Sequence, residues 1–375
     1  MINLYDMYKP LIAIAITACL LSCTQKHQAQ QKDYILGNWV EVANNFQLTR
    51  NGRRIPTPVM VKQGFIFHAD QTYENKLGYF YVDTNRNKRI YSGNPGKFQI
   101  SGDSLLLFPP DNNKRERFRL VKVNADSLLI EQDSVVTTLK HYQIKINAPA
   151  FDKIILSTTG CFGTCAALDI MISADGKVLF YGGYYAYVKG WQTGTIPVSQ
   201  YEHLQNEFRQ VDFDSLKTAY NSGWTDQQTV YATFVKNNKI YKSVRDYGHA
   251  APYLFEWAYE PLQYLYQGIK LTGMPKPDSI PPFEILAHYG DRKGSIIKLK
   301  DSEQFLLIDY LHHGKKVVET NFKPRFDLLD DYKTDGIKTD GRYYTFSLNS
   351  KTETIDIGFN FFDANSKNWQ WQKRD

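Results

Sequence analysis

The sequence is poor in the signs that usually announce chemistry. It holds no Gly-x-Ser-x-Gly elbow and no His-Glu-x-x-His pair, which removes the common sequence marks of a serine hydrolase and of a zinc protease. Gly93-Asn-Pro-Gly96-Lys97 has its glycines too close for a phosphate loop, and Phe98 stands where Ser or Thr is needed. Cysteine is scarce, with four residues in 375, so no set of four zinc ligands at suitable spacing is present. His312-His313 does not repair this, because adjacent side chains diverge on a helix or strand. The 45 Lys and Arg against 39 Asp and Glu give a net charge of +6, with no basic cluster dense enough to argue for nucleic acid. Carboxylates are plentiful, yet spacing alone singles out no acid and base pair. No catalytic residue, metal or cofactor is therefore assigned.

Long apolar runs are also missing, with one exception near the start. Lys9 precedes Leu11-Ile-Ala-Ile-Ala-Ile-Thr-Ala-Cys-Leu-Leu21, the layout of a secretory signal peptide. About 12 residues of helix cover about 18 Å, against roughly 30 Å of hydrocarbon, so the run is too short to span a bilayer. Leu20-Leu21-Ser22-Cys23 resembles the bacterial lipobox. That resemblance implies a signal peptide over 1–22, cleavage after Ser22 and acyl chains on Cys23, which together give stable anchoring. Residues 23–33 are polar and read as a flexible tether. Thr24 stands where the inner-membrane retention signal of lipoproteins has Asp, which favours the outer membrane, and Lys26 and His27 stand where surface-displayed lipoproteins have acidic residues, which favours the face towards the periplasm. Removing 1–22 leaves the charge at +6, since that stretch carries one Lys and one Asp.

The remaining length exceeds what one core serves, so two or three domains are expected. From Tyr34 to Ile146 short alternating segments recur about every ten residues, the signature of an antiparallel barrel or sandwich. Phe65 and Phe67, Tyr79 and Tyr81, Phe98 and Ile100, Leu105 and Leu107, Phe118 and Leu120, and Leu128 and Ile130 mark successive strands. Asp103-Ser-Leu-Leu106 and Asp126-Ser-Leu-Leu129 look like one turn-into-strand device used twice. Gly37-Asn38-Trp39 and Phe65-x-Phe67-x-x-Asp70-x-Thr72-Tyr73 resemble the lipocalin-like domains of bacterial envelope proteins. The resemblance implies an eight-stranded barrel over 34–146, either holding a small apolar ligand or filled by its own side chains.

Over 151–272 the pattern turns to α+β. Lys153–Leu156 reads as a strand, and Leu168–Ile172 with Lys177–Tyr181 as a hairpin through Ala174-Asp175-Gly176. Ser199-Gln-Tyr-Glu202 has the form of a capping box, with Leu204, Phe208 and Val211 on one helix face. A second hairpin turns at Asn237-Asn238. A final helix is expected from near Pro252, kinked or divided by Pro261. Residues 273–282 are proline-rich and read as a linker. Beyond them, 283–375 is a further α+β pattern, either a third domain or an extension of the second: strands over Phe283–His288 and Ser295–Leu299, a helix over Asp301–His312, and a hairpin of Tyr343–Leu348 with Thr354–Phe359. The fold class expected is thus mixed, an N-terminal β-barrel followed by α+β.

Gly160-Cys161-Phe162-Gly163-Thr164-Cys165, with Asp175-Gly176 and Asp246-Tyr247-Gly248 downstream, resembles the signature of an uncharacterised bacterial domain known only as a domain of unknown function. Ala166 and Leu168 stand where that pattern commonly has Pro and Tyr. In an extended strand the two Cα atoms would lie roughly 13 Å apart, beyond the roughly 7 Å limit for a disulfide, so bonding requires a turn, which Gly163 eases. An oxidising envelope makes a Cys161–Cys165 disulfide the leading expectation. The alternative is a reactive thiol activated by His203 or His249, although spacing places neither beside it.

Tyr181, Tyr184, Tyr185, Tyr187 and Trp191 crowd around Gly182-Gly183. They form a candidate binding surface for a glycan or an envelope protein, the competing reading being ordinary sheet packing. The function expected is a lipid-anchored, non-catalytic binding or scaffolding module with the membrane as its first partner. Two alternatives stay open: a thiol-dependent redox enzyme using Cys161 and Cys165, and a carrier of a small apolar ligand in the barrel.

Overall fold

The computed structural model describes residues 33–42, 49–50, 53–54, 62–85, 88–110, 115–274, 288–291, 294–318, 321–328, 337–348, 351–369 and 372–373. Cys23, the signal segment, nearly all of the tether and most of the 273–282 linker lie outside the described residues. The chain forms two compact units, one of Met1–Thr57, Lys62–Tyr81 and Tyr91–Ile144, the other of Pro58–Val61, Val82–Ile90 and Lys145–Asp375.

The first unit is a closed antiparallel barrel of eight strands: β1 (Gly37–Glu41), β2 (Gly64–Phe67), β3 (Thr72–Asn75), β4 (Gly96–Ser101), β5 (Ser104–Phe108), β6 (Glu116–Val123), β7 (Ser127–Gln132) and β8 (Val135–His141). Each strand pairs with the next, and β8 closes on β1 with Trp39 opposite His141. Side chains alternate across the sheet, so every second residue points inward. Trp39, Phe65, Phe67, Tyr73, Phe98, Ile100, Leu105, Leu107, Leu120, Leu128, Ile130 and Leu139 are all buried in one cluster. The interior is thus filled by large side chains, and the Trp39 indole donates to the Ile35 carbonyl at 2.7 Å. Tyr79 and Tyr81 do not form a barrel strand. They belong to a separate ribbon of Tyr79–Asp83 with Lys88–Gly93, in which Tyr81 and Val82 are exposed. In the second of the two similar turns the amides of Asp126 and Ser127 donate to Asn124 Oδ1, so Asn124 holds that turn.

The second unit is built on an eight-stranded sheet of β9 (Lys153–Thr158), β10 (Leu168–Ser173), β11 (Lys177–Gly182), β12 (Gly190–Thr195), β13 (Ala219–Asn221), β14 (Thr229–Lys236), β15 (Lys239–Tyr247) and β16 (Leu271–Gly273). Their order is β13-β15-β14-β9-β10-β11-β12-β16, antiparallel except for β13 beside β15. The β14–β15 turn places Asn237 and Asn238 at φ +52° and +58°, where asparagine is tolerated. Helices α1 (Val198–Arg209) and α2 (Tyr253–Leu262) cover one face, burying Tyr201, Leu204, Phe208, Phe255, Tyr259 and Leu262 with Ile154, Leu156, Ile170 and Phe234. The expected capping box does not form. The helix is capped at Pro197, so Ser199 already lies inside the first turn. Pro261 sits in the last turn of α2, which ends one residue later before a short 3-10 turn at Leu265–Gln267.

The other face is covered by the C-terminal segment. Its sheet contains β17 (His288–Asp291), β18 (Ser295–Lys298), β19 (Lys315–Val317), β20 (Phe326–Leu328), β21 (Lys338–Thr339), β22 (Tyr343–Leu348), β23 (Lys351–Asp356) and β24 (Gln372–Lys373), in the order β19-β23-β22-β21-β20-β17-β18-β24. The closing hairpin returns over Lys351–Asp356, earlier than the expected Thr354–Phe359. Of the expected strand Phe283–His288, only His288 lies within the described residues, at the start of β17. Helix α3 (Asp301–His313) and the short helix α4 (Phe361–Ala364) bury Phe305, Leu306, Ile308 and Phe362 with Ile155, Met171, Leu179, Val235 and Ile240. Phe305 stacks on Trp191 at 5.7 Å, and Thr233 Oγ1 bonds both Ser243 and Ser302 inside this layer. The C-terminal segment therefore shares a core with the second sheet. No helix among the described residues is long and apolar enough to cross a membrane.

Candidate functional site

A cleft of about 500 Å³ opens at the end of the second sheet where β9 leaves and β10, β11, β14 and β15 begin or finish. Its rim is the 160–167 loop. Cys161 and Cys165 are disulfide-bonded with their Cα atoms 5.5 Å apart, so the turn around Gly163 forms. The Phe162 amide donates to Asp226 O, and Gln228 Nε2 donates to Thr159 O and Ala166 O, pinning the loop to the start of β14. Between those anchors Phe162 stands 88% exposed.

The 183–189 loop forms the adjoining wall. Gly182 is required there, since a Cβ would lie 1.8 Å from the Val188 carbonyl oxygen. Tyr185 and Tyr187 line the cleft, and the Tyr187 amide donates to the hydroxyl of Tyr266, whose ring stacks on Phe180 at 4.6 Å. Tyr184 is largely exposed but does not line the cleft. Trp191 is a packing residue, held between Tyr181 and Phe305 on the far face of the sheet. The expected aromatic surface therefore splits: Tyr185 and Tyr187 meet the disulfide loop, while Trp191 joins the C-terminal core.

The floor comes from α2 and the turn after β15. His249 has φ +57°, following Gly248 at φ +71°, where a Cβ would meet Ser222 Oγ at 2.3 Å. Asp246, 1% exposed, accepts from the amides of Ala250 and Ala251 and holds this turn. Tyr259 Oη donates to Asp246 Oδ2 at 2.8 Å and lies 3.2 Å from His249 Nδ1. With that hydroxyl proton committed to Asp246, the contact requires a proton on His249 Nδ1. Burial holds the Tyr259 hydroxyl well above its ordinary value.

Glu256 and Glu260 stand one turn apart on α2. Glu256 is 2% exposed, and its Oε1 has no hydrogen-bond partner among the described residues. Burial, then the charges of Asp246 and Glu260, push its carboxyl up to about 9, so it is protonated at neutral pH. Glu260 lines the cleft, accepts from Gln263 Nε2 at 2.8 Å and faces Arg89 at 3.6 Å. Burial raises its carboxyl, with Arg89 and His249 pulling the other way. Gln227, Gln228, Gln263, Gln267, Tyr264 and Tyr266 complete the lining.

Residues 152–266 match the family described as a domain of unknown function, DUF6438. No curated protein and no solved structure matches the chain. The DUF6438 stretch runs from β9 through α2 and carries the disulfide loop, His249 and Glu260. It stops before β16 and the whole C-terminal layer. His203, the other histidine weighed as a partner for the cysteines, does not line the cleft, whereas His249 does. The sequence reading missed the two glutamates and the glutamines. The available signal was a pair of acids four residues apart inside the otherwise apolar Leu254-Phe-Glu-Trp-Ala-Tyr-Glu-Pro-Leu262.

Proposed function

We propose that this protein is a lipid-anchored, non-catalytic binding module of the bacterial envelope, and that the DUF6438 cleft takes a polyhydroxylated ligand, a segment of glycan. The observation that carries this reading is the lining. Exposed or half-exposed rings of Phe162, Tyr185 and Tyr187 stand beside four glutamines, with Glu260 and His249 also in the lining. Aromatic faces pack against the C–H faces of sugars, and amide oxygens accept from sugar hydroxyls, while the glutamine Nε2 groups here donate to the protein and fix the amides in place. The N-terminal signal layout and the lipobox-like Leu20-Leu21-Ser22-Cys23 support export and anchoring, with the outer membrane as the expected address. Intact mass of protein taken from its native membrane tests the anchor, since acylated Cys23 adds a lipid-sized increment. Calorimetric titration with a panel of oligosaccharides tests the cleft. Phe162→Ala with Tyr185→Ala should weaken binding about tenfold or more without lowering the melting temperature. Equal affinity in the double variant would exclude the reading. The packed interior of the first unit supports a spacer for the barrel over an apolar carrier.

A second reading is favoured by one observation: neither cysteine of the disulfide is buried, and both line the cleft together with His249. Exchange with an external dithiol would leave two protein thiols and one oxidised dithiol. Equilibration against dithiol buffers decides it. A bond that stays closed down to about −300 mV behaves as a structural disulfide and removes the redox enzyme.

A further inference from the structure

Eight non-glycine residues among those described hold a positive φ. Five of them lie in short hairpin turns, where that geometry closes the connection: Gln71 between β2 and β3, Asp133 and Ser134 between β7 and β8, and Asn237 and Asn238 between β14 and β15. The other three are Tyr185 at +58°, Asp226 at +65° and His249 at +57°, in three separate and longer loops, and all three line the DUF6438 cleft. A left-handed φ is costly for a residue with a Cβ, more so for tyrosine than for aspartate or histidine, and such positions gather where a ligand is held. We infer that these residues are set for contact with the ligand, a glycan whose units carry hydroxyls on neighbouring ring carbons, with the Asp226 carboxylate accepting from both and the Tyr185 ring under the C–H face. This rests on the glycan reading above.

The fold makes no use of the Asp226 carboxylate. The residue is exposed, and its side chain has no hydrogen-bond or ion-pair partner among the described residues. Its main chain, by contrast, is fixed. The Asp226 carbonyl accepts from the Phe162 amide at 3.1 Å, the Gln227 amide donates to Tyr247 Oη at 3.2 Å, and Gln227 Nε2 reaches back to Thr225 O. The carboxylate is thus anchored beside the exposed Phe162. Tyr185 is set in a similar way: the Gly183 amide donates to Ala167 O and the Ala167 amide to Tyr184 O, which ties the chain just before it to the end of the disulfide loop. Its ring stays 54% exposed. An ionised carboxylate only accepts, through two oxygens whose spacing suits a pair of neighbouring hydroxyls, and hydrogen bonds to a charged group are the stronger kind. An aromatic ring takes the apolar face of the same sugar. Loops already set in the bound form spare the ligand the cost of ordering them.

The experiment is a calorimetric titration of the full chain with the 1,4-linked hexamers of glucose, mannose and galactose, whose inner units each carry two neighbouring free hydroxyls. The 1,3-linked hexamers of the same sugars, whose inner units carry no such pair, are the comparison. The 1,4-linked form of at least one sugar should bind about tenfold tighter than its 1,3-linked form, the value of one hydrogen bond to a charged group. Asp226→Asn, which tolerates the same backbone, and Asp226→Gly, which adopts it freely, should each remove that preference. Asp226→Asn should leave the melting temperature unchanged. Tyr185→Gly should weaken binding of both forms. Equal affinity for the two linkages in every sugar, a preference surviving in either Asp226 variant, a melting temperature lowered by Asp226→Asn, or undiminished affinity in Tyr185→Gly would each overturn the inference while the glycan reading stands. Absence of binding by all of the hexamers would remove both.

Discussion

Glu256 gives the sharpest test of the reading of the α2 floor. Its carboxyl is pushed from the ordinary glutamate value of 4.5 up to about 9, first by burial and then by Asp246 and Glu260. A carboxyl whose folded value is raised holds its proton in the folded chain after the unfolded chain has lost it. Stability is then greatest below the unfolded value and falls as pH rises towards the folded one. The slope is about 1.4 kcal/mol per pH unit for one proton. Between pH 6 and pH 8 the full effect is about 2.7 kcal/mol, and water reaching the opened site could halve it. Glu256→Gln keeps the shape and removes the proton. The difference in unfolding free energy, wild type minus variant, should therefore fall by about 1.5–3 kcal/mol from pH 6 to pH 8. Urea unfolding followed by near-ultraviolet circular dichroism at three pH values measures it, because taking the difference cancels the titrating groups that are not coupled to Glu256. A difference flat with pH, or one that rises, would refute the buried neutral carboxyl.

Three further outcomes follow from packing and backbone geometry. Trp39→Ala empties the barrel centre and removes the bond to Ile35 O, and should cost about 3–5 kcal/mol in urea unfolding of the first unit. Thr233→Val is nearly isosteric but leaves the Ser243 and Ser302 hydroxyls without their shared partner, a loss of about 1–3 kcal/mol read by the same method in the second unit. Gly248→Ala forces a side chain into φ +71° and against Ser222, so a stability loss of about 1–2 kcal/mol should show in the melting temperature.

The barrel was legible because its information is local. Period-two alternation from Phe65 to Ile130 marks inward residues, and most of them are buried, with Phe118 partly so. The same locality misplaced Tyr79 and Tyr81, since a two-stranded ribbon uses the same aromatic residues as a barrel strand and only the pairing partner separates them. The capping box at Ser199 failed for a related reason: Pro197 is already preset for the residue before a helix, and it starts α1 early. The cleft was hidden in another way. The 160–167 loop, the 183–189 loop, Asp226, His249 and α2 meet only because β9 lies between β14 and β10 in the sheet, an order that no short stretch of sequence encodes. Cys161, Tyr185 and His249 could each be noticed singly, but their convergence belongs to the topology.

The C-terminal segment left a signal that spacing did contain. Ile154-Ile155-Leu156, Ile170-Met171-Ile172 and Val178-Leu179-Phe180 are continuous apolar triplets, and a strand with one wet face alternates instead. Such runs require cover on both faces. The helices α1 and α2 supply one cover, and nothing within 152–266 supplies the other, so the layer carrying α3 must. A chain of residues 145–274 would expose Ile155, Met171, Leu179, Val235 and Ile240. At roughly 1.5–3 kcal/mol for each side chain, about 7–15 kcal/mol of burial would be lost, as much as the whole stability of an ordinary domain. That fragment should aggregate or remain partly unfolded, whereas residues 145–375 should unfold cooperatively. Sedimentation and urea unfolding of the two fragments distinguish the cases. A monomeric, cooperatively folded 145–274 would mean that the apolar face is tolerated in water and that α3 is an addition rather than a half of the core.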